Sequence, residues 1–531
     1  MAFYLIIVAI VIFSCVFMNR ISNKIGVPTL LAFIGLGMLF GAGGPLRIGF
    51  SNYRLAEQIC TVALIFIMFY GGFGTNWKQA KKVARQSVLM STLGVLVTAC
   101  IVAVFAHFVL RFSWIESFLM GSVISSTDAA SVFSILRSRK LSLKYNTASV
   151  LELESGSNDP VAYMMIAIFL AVYRGGISGG EIAYMIFAQI VYGLAIGAGI
   201  SILALYVLRK VKSLGDGFNM IFIVGVAIAA YAVPAIIGGN GYLSTYIVGI
   251  VLGNAKIHDK SEIVHFFDGI TVAAQMLVFF LLGLLSEPVM FPGVLIPGIL
   301  IAVFVTFIAR PVTAFAILTP FRAKVNQILL VSWSGLRGAS SIVFAISVFL
   351  GATTQNNIFY ITFLIVLFSI MLQGTLLPKV SEKLNMIDEK GNVMKTFTDY
   401  TDEVPVQFIQ FKIPEGHIWE NKILREIILP PETIAVLLQR GAERIAPNGE
   451  TRIKAGDKII LSAKTPGKVE GIELSEIIVK SGDDYENKKL SEIPRDAQGL
   501  IIMIRRGDDV IIPSGDILLK QGDILVVNDT E

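Results

Sequence analysis

From Met1 to about Lys379 the chain is a succession of apolar runs, each long enough to cross the roughly 30 Å core of a bilayer as a helix. Backbone polar groups can be satisfied in hydrocarbon only within helices or closed barrels, so this feature constrains the fold more than any other. Thirteen runs fall near residues 2–18, 29–45, 58–76, 86–110, 115–136, 146–173, 182–208, 217–237, 242–255, 263–286, 291–318, 327–349 and 357–378. Joints after odd-numbered runs are rich in cations, such as Lys78, Lys81, Lys82 and Arg85, or Arg137, Arg139, Lys140 and Lys144. Those after even-numbered runs hold only Arg47, Arg54, Arg111 and Arg174. The alternation predicts an extracellular N-terminus and a cytoplasmic tail, in the plasma membrane. Because Arg20 and Lys24 follow the first run, it reads as a retained span and not as a cleaved signal.

Beyond about Ser381 charges become dense and apolar runs shrink to strand length. The expected fold class is therefore an α-helical polytopic membrane protein of about 13 transmembrane helices with a cytoplasmic α+β tail. The domains read as 1–380 for the membrane part, 381–401 for a linker, and 402–470 and 471–531 for two tail modules. Cys15, Cys60 and Cys100 all fall in apolar spans, where they read as small buried hydrophobes and not as a disulfide framework. The net charge of +5 is spread over many joints, so lipid, and not nucleic acid, is the expected partner.

Two spans share an unusual pattern. Span five contains "GSVISSTDAASVF" (121–133) and span twelve "SWSGLRGASSIVF" (332–344), each polar and interrupted in mid-membrane. Seven spans apart, they cross in opposite directions. Interrupted helices in matching positions of two inverted halves point to a transporter's binding site.

Span six contains "LELESGSNDPVAYMM" (151–165), with carboxylates where each costs roughly 2.5–3.5 kcal/mol. On a helix, Ser155 and Asp159 share one face, and Glu154 and Asn158 share another about 100° away. The first face offers hard oxygen ligands for an alkali cation or a proton. The second suits a cationic partner, for which Arg337 is the first choice. Arg310, before Pro311, reads as an interhelical anchor or as a site component, and Glu152 as a solvated residue near a span end.

In this order, "STDAASV", "LELESGSNDPVAY" and "SWSGLRGASSIVFA" resemble the monovalent cation/proton antiporters of the NhaP-like branch, over residues 1–380. The resemblance implies inverted repeats with crossed broken helices and a homodimer through the membrane domain. It makes Asp159 the cation and proton carboxylate, helped by Ser155 and Thr127. It places Asp128 at the crossing, compensating helix ends, and makes Glu154 and Arg337 a structural ion pair. Asn158 beside Asp159 matches the pattern associated with electroneutral exchange. One departure is span three, "MFYGGFGTNW" (68–77), which lacks the acidic residue of some relatives.

The tail is duplicated: shifted by 66, Glu420, Asn421, Leu424, Arg440, Gly441, Pro447, Gly449, Gly456 and Asp457 all recur. Both copies resemble the C-terminal half of the RCK domain (the TrkA-C type), and no G-x-G-x-x-G precedes them, so nicotinamide is not expected. Some such modules bind cyclic di-AMP. Here Val436, Leu437, Arg440 and Pro447 approximate that pattern, and Ile502, Met503, Arg506, Ile512 and Pro513 fit it better, with the arginine facing a phosphate.

The expected function is exchange of K⁺ or Na⁺ for H⁺, regulated by the tail, with no cofactor beyond the transported ions. An RCK-regulated potassium channel is an alternative, although "NGYLST" (240–245) is no filter loop. Another is a Na⁺/H⁺ antiporter with a non-regulatory tail. An enzyme is not expected, since "ESGSND" is no nucleophile elbow.

Overall fold

The computed structural model describes residues 2–25, 28–139, 141–210, 216–255, 257, 260–388, 406–430, 433–441, 443–464, 473–480, 483, 485–492, 500–506, 509–511 and 513–529. The chain divides into two units, Met1–Asp402 and Glu403–Glu531.

Each of the thirteen runs becomes a helix or an interrupted pair. The first half comprises α1 (Ala2–Ile25), α2 (Thr29–Phe40), α3 (Tyr53–Gly74), α4 (Trp77–Ser91) and α5 (Leu93–Phe108) offset at Thr92, α6 (Trp114–Ser125), α7 (Ala129–Ser138) and α8 (Thr147–Arg174). The long α9 (Gly179–Lys210) joins it to α10 (Asp216–Ile236), α11 (Gly241–Asn254) and α12 (Lys260–Leu284). Span eleven is α13 (Phe291–Phe304), a π turn (Val305–Ala309) and α14 (Arg310–Leu318). Span twelve is α15 (Val325–Trp333) and α16 (Ala339–Gly351). Span thirteen is α17 (Ile358–Phe368), a π turn (Ser369–Gly374) and α18 (Thr375–Lys383). Among the described residues, seven helical stretches are long and apolar enough to cross a membrane. The others are shorter or polar-interrupted.

Small residues let helices approach closely. A Cβ on Gly37 of α2 would stand 2.1 Å from the Phe280 carbonyl oxygen of α12, and one on Gly283 equally close to that of Ile34. Gly72 and Gly249 do the same for α3 and α11. Asn240 caps α11, its Oδ1 accepting the Leu243 N–H at 3.0 Å, so "NGYLST" is a helix start. Cys15 and Cys60 are buried as expected, but Cys100 faces outward.

The packed membrane unit continues beyond the expected limit of 380. Ser381 and Met386 are fully buried. Ile387 forms an antiparallel bridge with Leu143, the Lys144 N–H donates to the Met386 carbonyl at 2.9 Å, and Lys144 Nζ to that of Asn385 at 3.0 Å. Residues 384–388 are thus a strap across the entry to α8, not the start of a free linker.

In the tail, β1 (Val406–Lys412), β2 (Thr433–Arg440), β3 (Glu443–Ile445) and β4 (Lys458–Lys464) form an antiparallel sheet in the order β1-β4-β2-β3. The second copy repeats it with β5 (Glu473–Ile478), β6 (Leu500–Arg506), β7 (Asp509–Ile511) and β8 (Ile524–Asp529) in the order β5-β8-β6-β7. The register shifts at equivalent places, Ala435/Leu437 and Ile501/Met503. The helical starts are single 3₁₀ turns, Leu424–Glu426 and Leu490–Glu492.

The recurring arginines have an internal partner that the phosphate-facing expectation did not include. Arg440 donates through Nε and Nη2 to the two oxygens of Asp457, at 2.9 and 2.8 Å. Arg506 does the same to Asp523, at 2.7 and 2.7 Å. Each Asp follows a glycine in the left-handed region (Gly456 φ 84°, Gly522 φ 87°), which turns the chain so that the carboxylate points inward. Of the other nucleotide-pattern residues, Ile512 and the side chain of Ile502 lie outside the described residues. Val436 and Leu437 lie at the bulge of β2 and Met503 at that of β6, whereas Pro447 and Pro513 follow β3 and β7.

Burial alone would raise the Asp457 carboxyl, but the Arg440 fork and the Lys454 N–H overcome it and hold it below the usual range. The Arg506 fork does so for Asp523 against burial. A depressed folded value means that the stabilisation is complete above the ordinary carboxylate pKa and is lost as pH falls toward the folded one. Arg506→Ala strands a buried carboxylate and is expected to cost its module about 3 kcal/mol, the low end for a broken pair because the arginine is part-exposed. Limited proteolysis of the full-length protein checks this. New cleavage within 473–529 is the expected result, and an unchanged pattern counts against it.

Candidate cation site

The two broken helices meet at their breaks. The Asp128 N–H, between α6 and α7, donates to the Leu336 carbonyl between α15 and α16 at 2.7 Å. Arg337 Nη1 donates to the Ser126 carbonyl at 2.6 Å, so its charge sits on the orphan carbonyls at the end of α6. Its own N–H donates to Ser369 Oγ, at the start of the π turn in span thirteen, at 3.1 Å. Asp128 serves the opposite end, accepting from the Ser131 N–H at 3.3 Å and its hydroxyl at 2.5 Å at the N-terminus of α7. Gly338 is required here, since a Cβ would stand 2.1 Å from Asp128 Oδ2.

Onto this crossing α8 lays its polar face. The Ser126 hydroxyl donates to Asp159 Oδ1 and lies 2.7 Å from the Ser340 hydroxyl of α16. The Ser155 hydroxyl donates to the Thr127 carbonyl at 2.6 Å, and Asn158 Nδ2 to Thr127 Oγ1 at 2.6 Å. Asp159 is only 6% exposed. Asp159, Ser155, Thr127, Asp128 and Asn158 therefore converge, and Ser126 and Ser340 join them.

Glu154 does not pair with Arg337. Its carboxylate lies 2.5 Å from Arg310 Nη2, with both side chains almost wholly buried. The fold sets span eleven against Glu154, and the π turn immediately before Arg310 adds a residue to one turn and so changes which way the following side chains point. Of the two readings of Arg310, it is the interhelical anchor.

A cavity of ≈ 380 Å³ opens against Asp159, Ser155, Thr127, Asp128 and Ser340. It extends past Glu152 on α8, Asp268, Thr271 and Gln275 on α12, and Tyr70 on α3. Glu152, read as solvated, thus faces the same cavity as Asp159. Asp268 escaped notice, although "DGITVAAQ" (268–275) sets Asp268, Thr271 and Gln275 on one helical face.

Crossed, interrupted helices around a buried carboxylate that is open to a cavity define a secondary ion carrier. Residues 7–383 match the family model described as sodium/hydrogen exchanger, transmembrane, and residues 408–467 and 474–527 match the TrkA-C domain. The chain belongs to the sodium/hydrogen exchanger family. It is similar to the K(+)/H(+) antiporter NhaP of Alkalimonas amylolytica, 34% identical over 466 residues, which cover 87% of this chain and 81% of the relative. The K(+)/H(+) antiporter NhaP2 of Shewanella baltica is 29% identical over 449 residues, 83% of this chain and 77% of that one. The fold is also that of the sodium proton antiporter MjNhaP1 from Methanocaldococcus jannaschii, with a TM-score of 0.63 and 22% identity over 72% of this chain and 99% of that chain. These relatives are transporters, and the protein is a membrane cation/proton antiporter with a C-terminal regulatory tail.

Proposed function

We propose that this antiporter exchanges K⁺ for H⁺ electroneutrally by letting the two compete for Asp159, with the tail cytoplasmic, the N-terminus outside and two copies paired through the membrane domain. The observation that carries the site is Asp159 itself, a buried carboxylate at the crossing that is bonded to a hydroxyl and open to the cavity. Ser155 and Thr127 would supply further oxygens to a dehydrated cation. The choice of K⁺ rests on the names borne by the relatives at 34% and 29% identity. The test is dequenching of a pH dye in everted vesicles on addition of K⁺, Na⁺ or Li⁺. Response to K⁺ at lower concentration than Na⁺ is expected, and exclusive response to Na⁺ would overturn the cation choice.

The charges at the crossing support the electroneutral reading. Arg310 neutralises Glu154, and Arg337 and Asp128 offset each other across the two breaks, which leaves Asp159 to exchange one cation for one proton. A potential of 100 mV acts with ~2.3 kcal/mol on each unit of charge moved, so its effect on an electrogenic cycle is large. With pH clamped equal on both sides, reconstituted protein should build no cation gradient from an imposed potential. A gradient would refute the stoichiometry.

We propose that the tail acts as a switch through its TrkA-C modules. A nucleotide such as cyclic di-AMP would have to bind beside the Arg–Asp forks and not through them. Calorimetry on the full-length protein, beside protein truncated after Asp402, checks whether the modules take up such a ligand.

A further inference from the structure

Resting on the antiporter reading above, we propose that the outer part of the cavity is a second binding site for a monovalent cation, built by Glu152 of α8 and by Asp268 and Thr271 of α12. Two helices face each other across this space with matching stripes. Glu152, Ser155 and Asp159 recur at i, i+3 and i+7 on one, and Asp268, Thr271 and Gln275 on the other. As spans six and ten, α8 and α12 run in the same direction, and Glu152 and Asp268 lie within two turns or so of their starts at Thr147 and Lys260. Both carboxylates thus belong to the same end of the cavity, about 10 Å along α8 from Asp159.

Two details mark this as a built site. Tyr70 of α3 donates its hydroxyl to Asp268 Oδ1 at 3.1 Å, which fixes the carboxylate and occupies one of its two oxygens. Thr271 is 8% exposed, lines the cavity, and its hydroxyl has no hydrogen-bond partner. Thr245 and Thr313 return their hydroxyls to the carbonyls of Gly241 and Ala309, four residues back, each at 2.8 Å. Thr271 does not; the hydroxyls of Ser87 and Thr362, among others, are also unpartnered, but among the described residues only that of Thr271 lines the cavity, where a ligand can complete it. Two carboxylates, a hydroxyl and the Gln275 amide oxygen are hard donors suited to an alkali ion. The site therefore fits a partly hydrated monovalent cation waiting one step from Asp159.

The test is equilibrium binding of radioactive Rb⁺ to purified full-length protein, with a melting curve to confirm folding. Asp159→Asn, which removes the inner site, should retain saturable Rb⁺ binding. Adding Glu152→Gln and Asp268→Asn should weaken it about tenfold or more, and adding the near-isosteric Thr271→Val alone about fivefold. Loss of saturable binding in Asp159→Asn, or equal binding in all of these variants, overturns the outer site. The antiporter reading fails separately, if wild-type protein neither binds Rb⁺ nor exchanges cations for protons. Should the multiple variant not fold, the Thr271→Val comparison decides.

Discussion

Asp159→Asn is expected to reduce exchange to the background of empty vesicles, a loss of ~100-fold or more, while the melting temperature in detergent stays near that of the parent protein. The amide is isosteric with the carboxyl, and its oxygen can still accept the Ser126 hydroxyl, so the crossing keeps its hydrogen bonds. What disappears is the charge. A neutral amide neither balances a dehydrated cation nor releases a proton, and the other carboxylates at the crossing are engaged with Arg310 or with the start of α7. Dye dequenching in vesicles, beside a melting curve, checks both halves. Exchange at ordinary rates would remove Asp159 from the centre of the mechanism.

The second large effect concerns stability. Glu154→Gln and Arg310→Gln are each expected to cost about 3–5 kcal/mol, because either leaves a charge buried without its partner. The double variant should cost distinctly less than the sum. The same cycle with Arg337→Gln in place of Arg310→Gln should show weaker coupling, since Arg337 donates to the end of α6 and the direct contact of Glu154 is with Arg310. Melting in detergent across the two cycles supplies the measurement, and coupling to Arg337 but not to Arg310 would contradict the structure. Gly335 adds a steric corollary: a Cβ there would stand 2.9 Å from Arg310 Nε, so Gly335→Ala should weaken the same pair.

The contrast between these arginines shows which parts of the molecule were legible in the sequence. Span length, and the polar residues that break spans five and twelve, depend on local composition, and both breaks fall where "SSTD" and "SGLRG" stand. Helical periodicity also placed Ser155 with Asp159 and Glu154 with Asn158. It could not tell which distant helix faces Glu154, and it assumes 3.6 residues per turn, an assumption that fails at the π turn before Arg310. Asp268 was a different kind of miss. Its stripe with Thr271 and Gln275 is regular, but it lies in a span without an interruption and only the tertiary fold sets it opposite α8. In the tail the repeat displays both Arg440 and Asp457 with the same spacing in each copy, a pattern that signals mutual pairing as readily as an anion ligand.

The strap formed by residues 384–388 has a mechanical consequence. Through Ile387 and Met386 it is stitched to the loop 142–146, where Tyr145 and Asn146 both hold positive φ, at 60° and 53°, immediately before α8 begins. A pull on the chain beyond Asp388 would therefore reach first the start of the helix that carries Asp159. Cutting the protein after Asn385 would remove buried Met386 and unclamp that helix start, whereas cutting after Asp388 would detach the tail and spare the clamp. Slack at this one seam is enough to tell the pull of the tail from the loss of a packed edge.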